Sequence, residues 1–74
     1  MEFAQRLRDL REDTEPHLTQ EELGIRINIS QRKISRLERG DFEPNLKVIK
    51  DICNYYNISA DFMLGLTDEP RPLR

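Results

Sequence analysis

The stretch Thr19–Gly40, TQEELGIRINISQRKISRLERG, carries two start signals and two stop signals for short helices. Thr19 and Glu22 have the spacing of a capping box, in which the Thr hydroxyl accepts a backbone N–H and the Glu reaches back. Leu23 and Ile27 lie four residues apart and face inward. Asn28 then ends the helix, because Asn tolerates left-handed backbone angles better than most residues. Ser30 caps a second helix, Ile34 and Leu37 form its inner stripe, and Gly40 terminates it. Gly24 inside the first of the pair costs about 1 kcal/mol relative to Ala. Close approach of a neighbouring helix is the expected compensation.

Two short capped helices joined by a tight turn at Asn28-Ile29 are the arrangement of a helix-turn-helix, whose second helix lies in the major groove of DNA. The outer face of that helix, Gln31, Arg32, Ser35, Arg36 and Arg39, suits the task. Gln can bond adenine through two contacts, and Arg can bond guanine through two contacts. The first turn reaches deepest, so Gln31 and Arg32 are the favoured base readers, with Arg36 one turn further on. Ser35 shares the face, although Ser is short and common on exposed helix surfaces. Taken alone, a charged helix face is as readily only a solvated face. The capped pair around it favours the DNA reading.

Outward from this pair the chain reads as helix throughout. Phe3, Leu7 and Leu10 mark one stripe of a helix over Glu2–Asp13, stopped at Glu15-Pro16 because the residue before proline avoids helical angles. Asp41–Pro44 is a turn. Asn45 caps a fourth helix whose stripe is Leu46, Ile49, Ile52, Cys53 and Tyr56, and Asn57 ends it. Ser59 caps a short fifth helix, with Phe62, Met63 and Leu64 for packing. The residues from Thr67, TDEPRPLR, have two prolines and no apolar periodicity. The expectation is an all-α, five-helix domain over residues 1–66 and an extended or mobile tail over 67–74.

Seventy-four residues of 8.8 kDa fit one domain with one small core. No apolar run approaches the roughly 18 residues of a membrane span, and the N-terminal MEFAQRLRDL lacks a signal-peptide stretch. A single cysteine makes no intrachain disulfide, and no Cys/His set is spaced to hold zinc. The expectation is a cytoplasmic protein without metal or cofactor. His17 reads as a loop residue, Cys53 as core, and one of Tyr55 and Tyr56 as core. No His-based dyad, Gly-rich phosphate loop or paired carboxylates point to catalysis. The net charge of −2 conceals a polarised chain. Arg26, Arg32, Lys33, Arg36 and Arg39 stand against Glu38 alone between Arg26 and Gly40. Asp51–Glu69 has four acidic residues and neither Lys nor Arg. A phosphate backbone sees the basic stripe, not the sum.

The order TQEEL, ISQRKISRLERG, the Pro44–Leu46 turn and the ending SADFMLGLTD resembles the phage-repressor-like (Cro/Xre-type) helix-turn-helix family from Phe3 to about Leu66. The resemblance implies a compact lambda-repressor-like fold and a sequence-specific regulator of transcription, a repressor by type. It implies that Gln31, Arg32, Ser35 and Arg36 face base edges. Gln20, Ser30, Lys33, Arg39 and Asn45 fall where family members touch phosphates. Arg11 and Glu38 match a structural ion pair tying helix one to helix three. The implied partner is a near-palindromic double-stranded operator bound by a homodimer, with half-sites about 34 Å apart. Leu64 and Leu66 are the candidate dimer surface. The same fold serves antitoxins and recombination accessory proteins, which would add a protein partner for the acidic side. This chain departs from the family pattern at Gly24, where Ala is usual and a looser helix pair is expected. It also has Asn28 for the turn Gly, and a longer loop over Asp13–Leu18.

Overall fold

The computed structural model describes residues 2–74. Five helices follow in chain order: α1 (Glu2–Asp13), α2 (Gln20–Ile27), α3 (Gln31–Arg39), α4 (Leu46–Tyr56) and α5 (Ala60–Met63). No strand occurs among the described residues. The bounds follow from local chemistry. Thr19 Oγ1 accepts the Glu22 amide at 3.0 Å, and Glu22 Oε1 accepts the Thr19 amide at 2.9 Å. The Thr19 amide holds the exposed Glu22 carboxyl below its ordinary value. Ser30, Asn45 and Ser59 cap α3, α4 and α5 by accepting the amides of Lys33, Val48 and Phe62. Asn28, Gly40 and Asn57 end α2, α3 and α4 in the left-handed region, at φ 59, 76 and 52. Thr19→Ala is expected to lower stability by about 1 kcal/mol. In a domain of this size that is a fall of roughly 4–8 °C in melting temperature. An unchanged melt, followed by circular dichroism, would show that the box contributes nothing.

Helix α3 sits at the centre of the packing, gripped by α1 and α2, while α5 closes on α4 and α1. Phe3 and Leu7 of α1, Leu23 and Ile27 of α2, Ile34 and Leu37 of α3, Val48, Ile52 and Cys53 of α4, and Met63 of α5 form one core. Leu18 and Ile58 join it from the connecting segments. Cys53 is buried, and burial pushes its thiol pKa up. Tyr56 is half-buried with its pKa pushed up to about 12, chiefly by burial, and Tyr55 meets it edge-on on the outside.

Three expectations need correction. Leu46 was expected on the inner stripe of α4 but is 80% exposed, and Val48 is buried instead. Leu46 is the first residue after the Asn45 cap. Helical side chains lean toward the N-terminus, which carries Leu46 past the edge of the core. Leu64, expected to pack, lies beyond the last turn of α5 and is exposed. At Gly24 the nearest neighbour is the turn, where a Cβ would lie 2.3 Å from the Ile29 carbonyl oxygen. The expected neighbouring helix is close as well, with Ile34 Cδ1 and the Gln31 amide nitrogen of α3 at 3.4 and 3.5 Å. The helix pair is therefore tight at Gly24, not loosened, because turn backbone occupies the place of the methyl.

Residues 67–74 are non-helical and tied to the body. The Ser59 amide donates to the Arg71 carbonyl at 2.8 Å, and the Leu73 amide to the Asn57 carbonyl at 3.3 Å. Arg6 secures the approach to this segment. Its guanidinium donates to the carbonyls of Phe62 and Thr67, both at 2.6 Å, and lies 4.2 Å from the centre of the Phe62 ring.

Candidate nucleic-acid interface

Helix α3 has two chemically opposite faces, and its sequence dictates both. Ile34, Leu37 and Glu38 are buried. Gln31, Arg32, Arg36 and Arg39 are exposed, and Lys33 and Ser35 are half-buried at the margin. The residues expected to read bases come together: Gln31, Arg32, Ser35 and Arg36 line one open cleft, which Arg39, expected at a phosphate, also borders. The basic side chains of Arg32, Lys33 and Arg36 make no ion pair among the described residues, whereas most other cations of the chain do. Their charge therefore faces solvent undiminished.

The residues expected at phosphates divide among three places. Ser30, Lys33 and Asn45 share an adjoining hollow with Asn28 and Lys47, so the N-terminal ends of α3 and α4 open onto the same side of the molecule. The oxygens of Ser30 and Asn45 already serve as caps. Gln20 stands apart, half-buried, with its amide donating to Glu38 Oε1 at 3.0 Å. Arg39 lies at the far end of α3, where Asp41 pairs with it at 3.0 Å. The sequence reading missed three neighbours of this surface: Lys47, Asp41 and Phe42. The excess of basic residues around α3 was the available signal for Lys47. The other two become neighbours only through the path of the loop after Gly40.

Beneath the exposed face Glu38 gathers three elements. Its side chain is 1% exposed. Oε2 accepts Arg11 Nε at 2.7 Å, and Oε1 accepts Arg11 Nη2 at 2.8 Å as well as the Gln20 amide. Arg11 also donates from Nη1 to the Leu18 carbonyl at 3.0 Å. This fork-on-fork pair joins α1 to α3, and Gln20 ties in the start of α2. Burial drives the Glu38 carboxyl up, but the bonds from Arg11 and Gln20 and the charges of Arg11 and Arg8 outweigh it. The net result is a pKa below the ordinary value of 4.5.

No helix of the described chain is long and apolar enough to cross a membrane. No group of three or more His, Cys, Asp or Glu side chains among the described residues could hold a metal ion.

A buried inner face on α3, an outer face of amide and basic side chains whose Arg32 and Arg36 make no ion pair among the described residues, and α2 set against it by a left-handed Asn turn define a class. It is a helix-turn-helix domain of the kind carried by transcriptional regulators. A family model described as a helix-turn-helix domain matches residues 2–62, and the chain belongs to that family. Over 70 residues it is 36% identical to the uncharacterized HTH-type transcriptional regulator YobD of Bacillus subtilis (strain 168), covering 95% of this chain and 61% of that protein. It is 36% identical over 65 residues to the HTH-type transcriptional activator BcrR of Enterococcus faecalis, covering 88% and 31% of the two chains. It is 31% identical over 65 residues to the HTH-type transcriptional regulator ImmR of B. subtilis (strain 168), covering 88% and 50%. The chain thus spans less than two thirds of the length of each of these relatives. No solved structure matches it.

Proposed function

We propose that this chain is a sequence-specific DNA-binding module of a transcriptional regulator, inserting α3 into the major groove. The observation that carries the reading is the outer face of α3, where Gln31, Arg32, Ser35 and Arg36 converge with no acidic ion-pair partner among the described residues. In this reading Gln31, Arg32 and Arg36 bond base edges, with Ser35 between them. Lys33, Arg39, Gln20 and the capped ends at Ser30 and Asn45 fix the register on phosphates. The module binds rather than catalyses, and works in the cytoplasm. Regulation comes from occupancy: a bound operator that overlaps a promoter is blocked, which makes repression the default outcome. The names of the relatives support the regulatory role.

The experiment is selection of bound duplexes from a random DNA library at about physiological salt, read by sequencing. A two-fold-symmetric enriched site supports a dimeric sequence reader. An enriched single half-site keeps the reading helix and removes the dimer. No enrichment overturns the proposal.

One reading helix covers few base pairs, so a homodimer on a near-palindromic site is the economical arrangement. Leu66 is 74% exposed and Leu64 43%, both just past α5. They are the proposed dimer contact. Leu66→Glu is expected to shift the protein to monomer in sedimentation equilibrium and to weaken operator binding. An unchanged association state would place the dimer surface elsewhere.

A further inference from the structure

The loop after α3 turns back toward the helix it has just left. The Arg36 carbonyl accepts the Asp41 amide at 3.1 Å, and Gly40, at φ 76, makes the reversal. Phe42 is thereby brought back to the edge of the core, where its ring is partly buried. The Arg36 guanidinium carbon lies over that ring, 5.1 Å from its centre. The ring forms one wall of a cleft whose other walls are Ser30, Arg32, Lys33 and Arg36. The Arg36 backbone thus anchors the loop that brings an aromatic platform to the Arg36 side chain.

We infer that Phe42 is a positioning residue: it holds the Arg36 guanidinium in one orientation and so sharpens the base preference of α3. The inference rests on the reading of α3 as a base-reading helix and adds a residue outside that helix. A cation over an aromatic face is attracted by the ring's electrons. A guanidinium with one face against a ring keeps its in-plane N–H donors free, and those donors form the fork that meets guanine O6 and N7. Holding the side chain in place before binding also removes part of the ordering cost of an arginine contact. Phe42 itself touches no base in this scheme, and it acts wholly through Arg36.

The test is a double-mutant cycle on the full chain. Affinities of the unaltered protein and of Phe42→Leu, Phe42→Tyr, Arg36→Ala and Phe42→Leu/Arg36→Ala are measured on two duplexes. One is the selected site, and the other has the base pair read by Arg36 inverted. Leucine keeps an apolar group against the core without the aromatic face, and a melting curve for each variant verifies folding. Phe42→Leu is expected to weaken the selected duplex by about 2- to 5-fold, the range for an exposed cation–ring contact. It should leave the inverted duplex unchanged, have no effect once Arg36 is Ala, and be rescued by Phe42→Tyr. Equal weakening of both duplexes, or an undiminished effect without Arg36, overturns the role of Phe42. If the unaltered protein shows no preference between any duplexes, the base-reading proposal has failed, and this inference fails with it.

Discussion

Glu38→Ala is expected to remove about 3 kcal/mol of folding stability, the low end of what breaking a buried ion pair costs. The low end applies because Arg11, the partner left behind, keeps 14% of its side chain exposed and can turn toward water. A chain of 74 residues has roughly 4–11 kcal/mol in total, so the loss is about a quarter to three quarters of the stability and should lower the unfolding midpoint markedly. Urea unfolding followed by circular dichroism measures it. The double variant Arg11→Met/Glu38→Leu separates charge from packing. Removing both charges leaves neither stranded and should recover most of the loss. A Glu38→Ala protein as stable as the parent would mean that Arg11 and Gln20 find equivalent partners.

The same pair makes the fold sensitive to acid. The folded-state pKa of Glu38 lies below its ordinary value, so its contribution is complete above about pH 4.5 and is lost as pH falls through the lower folded value. Stability of the unaltered protein should therefore decline on acidification below pH 4.5 more steeply than that of Glu38→Gln, which has no proton to gain.

The second large effect concerns DNA. Arg36→Ala is expected to relax the preference at one base position by about 5- to 150-fold, the equivalent of the roughly 1–3 kcal/mol carried by a two-contact arginine. Affinity for sequences that already lack that base should change little. Lys33→Ala should behave differently. It should weaken all duplexes alike and lower the slope of log affinity against log salt by about one. Competition binding over several salt concentrations distinguishes the two. If Arg36→Ala weakened every sequence equally, Arg36 would be a phosphate contact and the division of labour along α3 would be wrong.

What could be read from the sequence alone follows the range of the interactions involved. Thr19, Ser30, Asn45 and Ser59 announced their helices because a cap acts across three residues and needs no distant partner. Asn28, Gly40 and Asn57 announced the ends for the same reason. The five helices and the two faces of α3 follow from these signals and from helical spacing. Burial at element ends was less legible, because it depends on what lies opposite. Leu46 continues the spacing of its stripe yet protrudes, and Leu18 lies in a loop yet is buried. The bond from Gln20 to Glu38 joins residues eighteen positions apart, and no local pattern foretells it. The Arg36–Phe42 contact depends on the reversal at Gly40, so a helical-face diagram that stops at Arg39 cannot contain it.

The separation of α3 into an inner and an outer face bears on how such proteins diverge. Ile34, Leu37 and Glu38 hold the fold, while Gln31 and Arg32 are exposed, Ser35 is half-buried at the margin and the exposed Arg36 side chain meets the Phe42 ring. Substitutions at the outer four positions are surface changes, which typically shift stability by less than about 0.5 kcal/mol. A duplicated gene could therefore alter its target site through successive single replacements, each leaving a folded protein, without first acquiring spare stability. Changes on the inner face have less freedom, since a single replacement of Glu38 strands Arg11, whereas replacing both leaves neither charge alone. Recognition in this chain can drift one side chain at a time, whereas the tie between Arg11 and Glu38 changes at least cost as a matched pair.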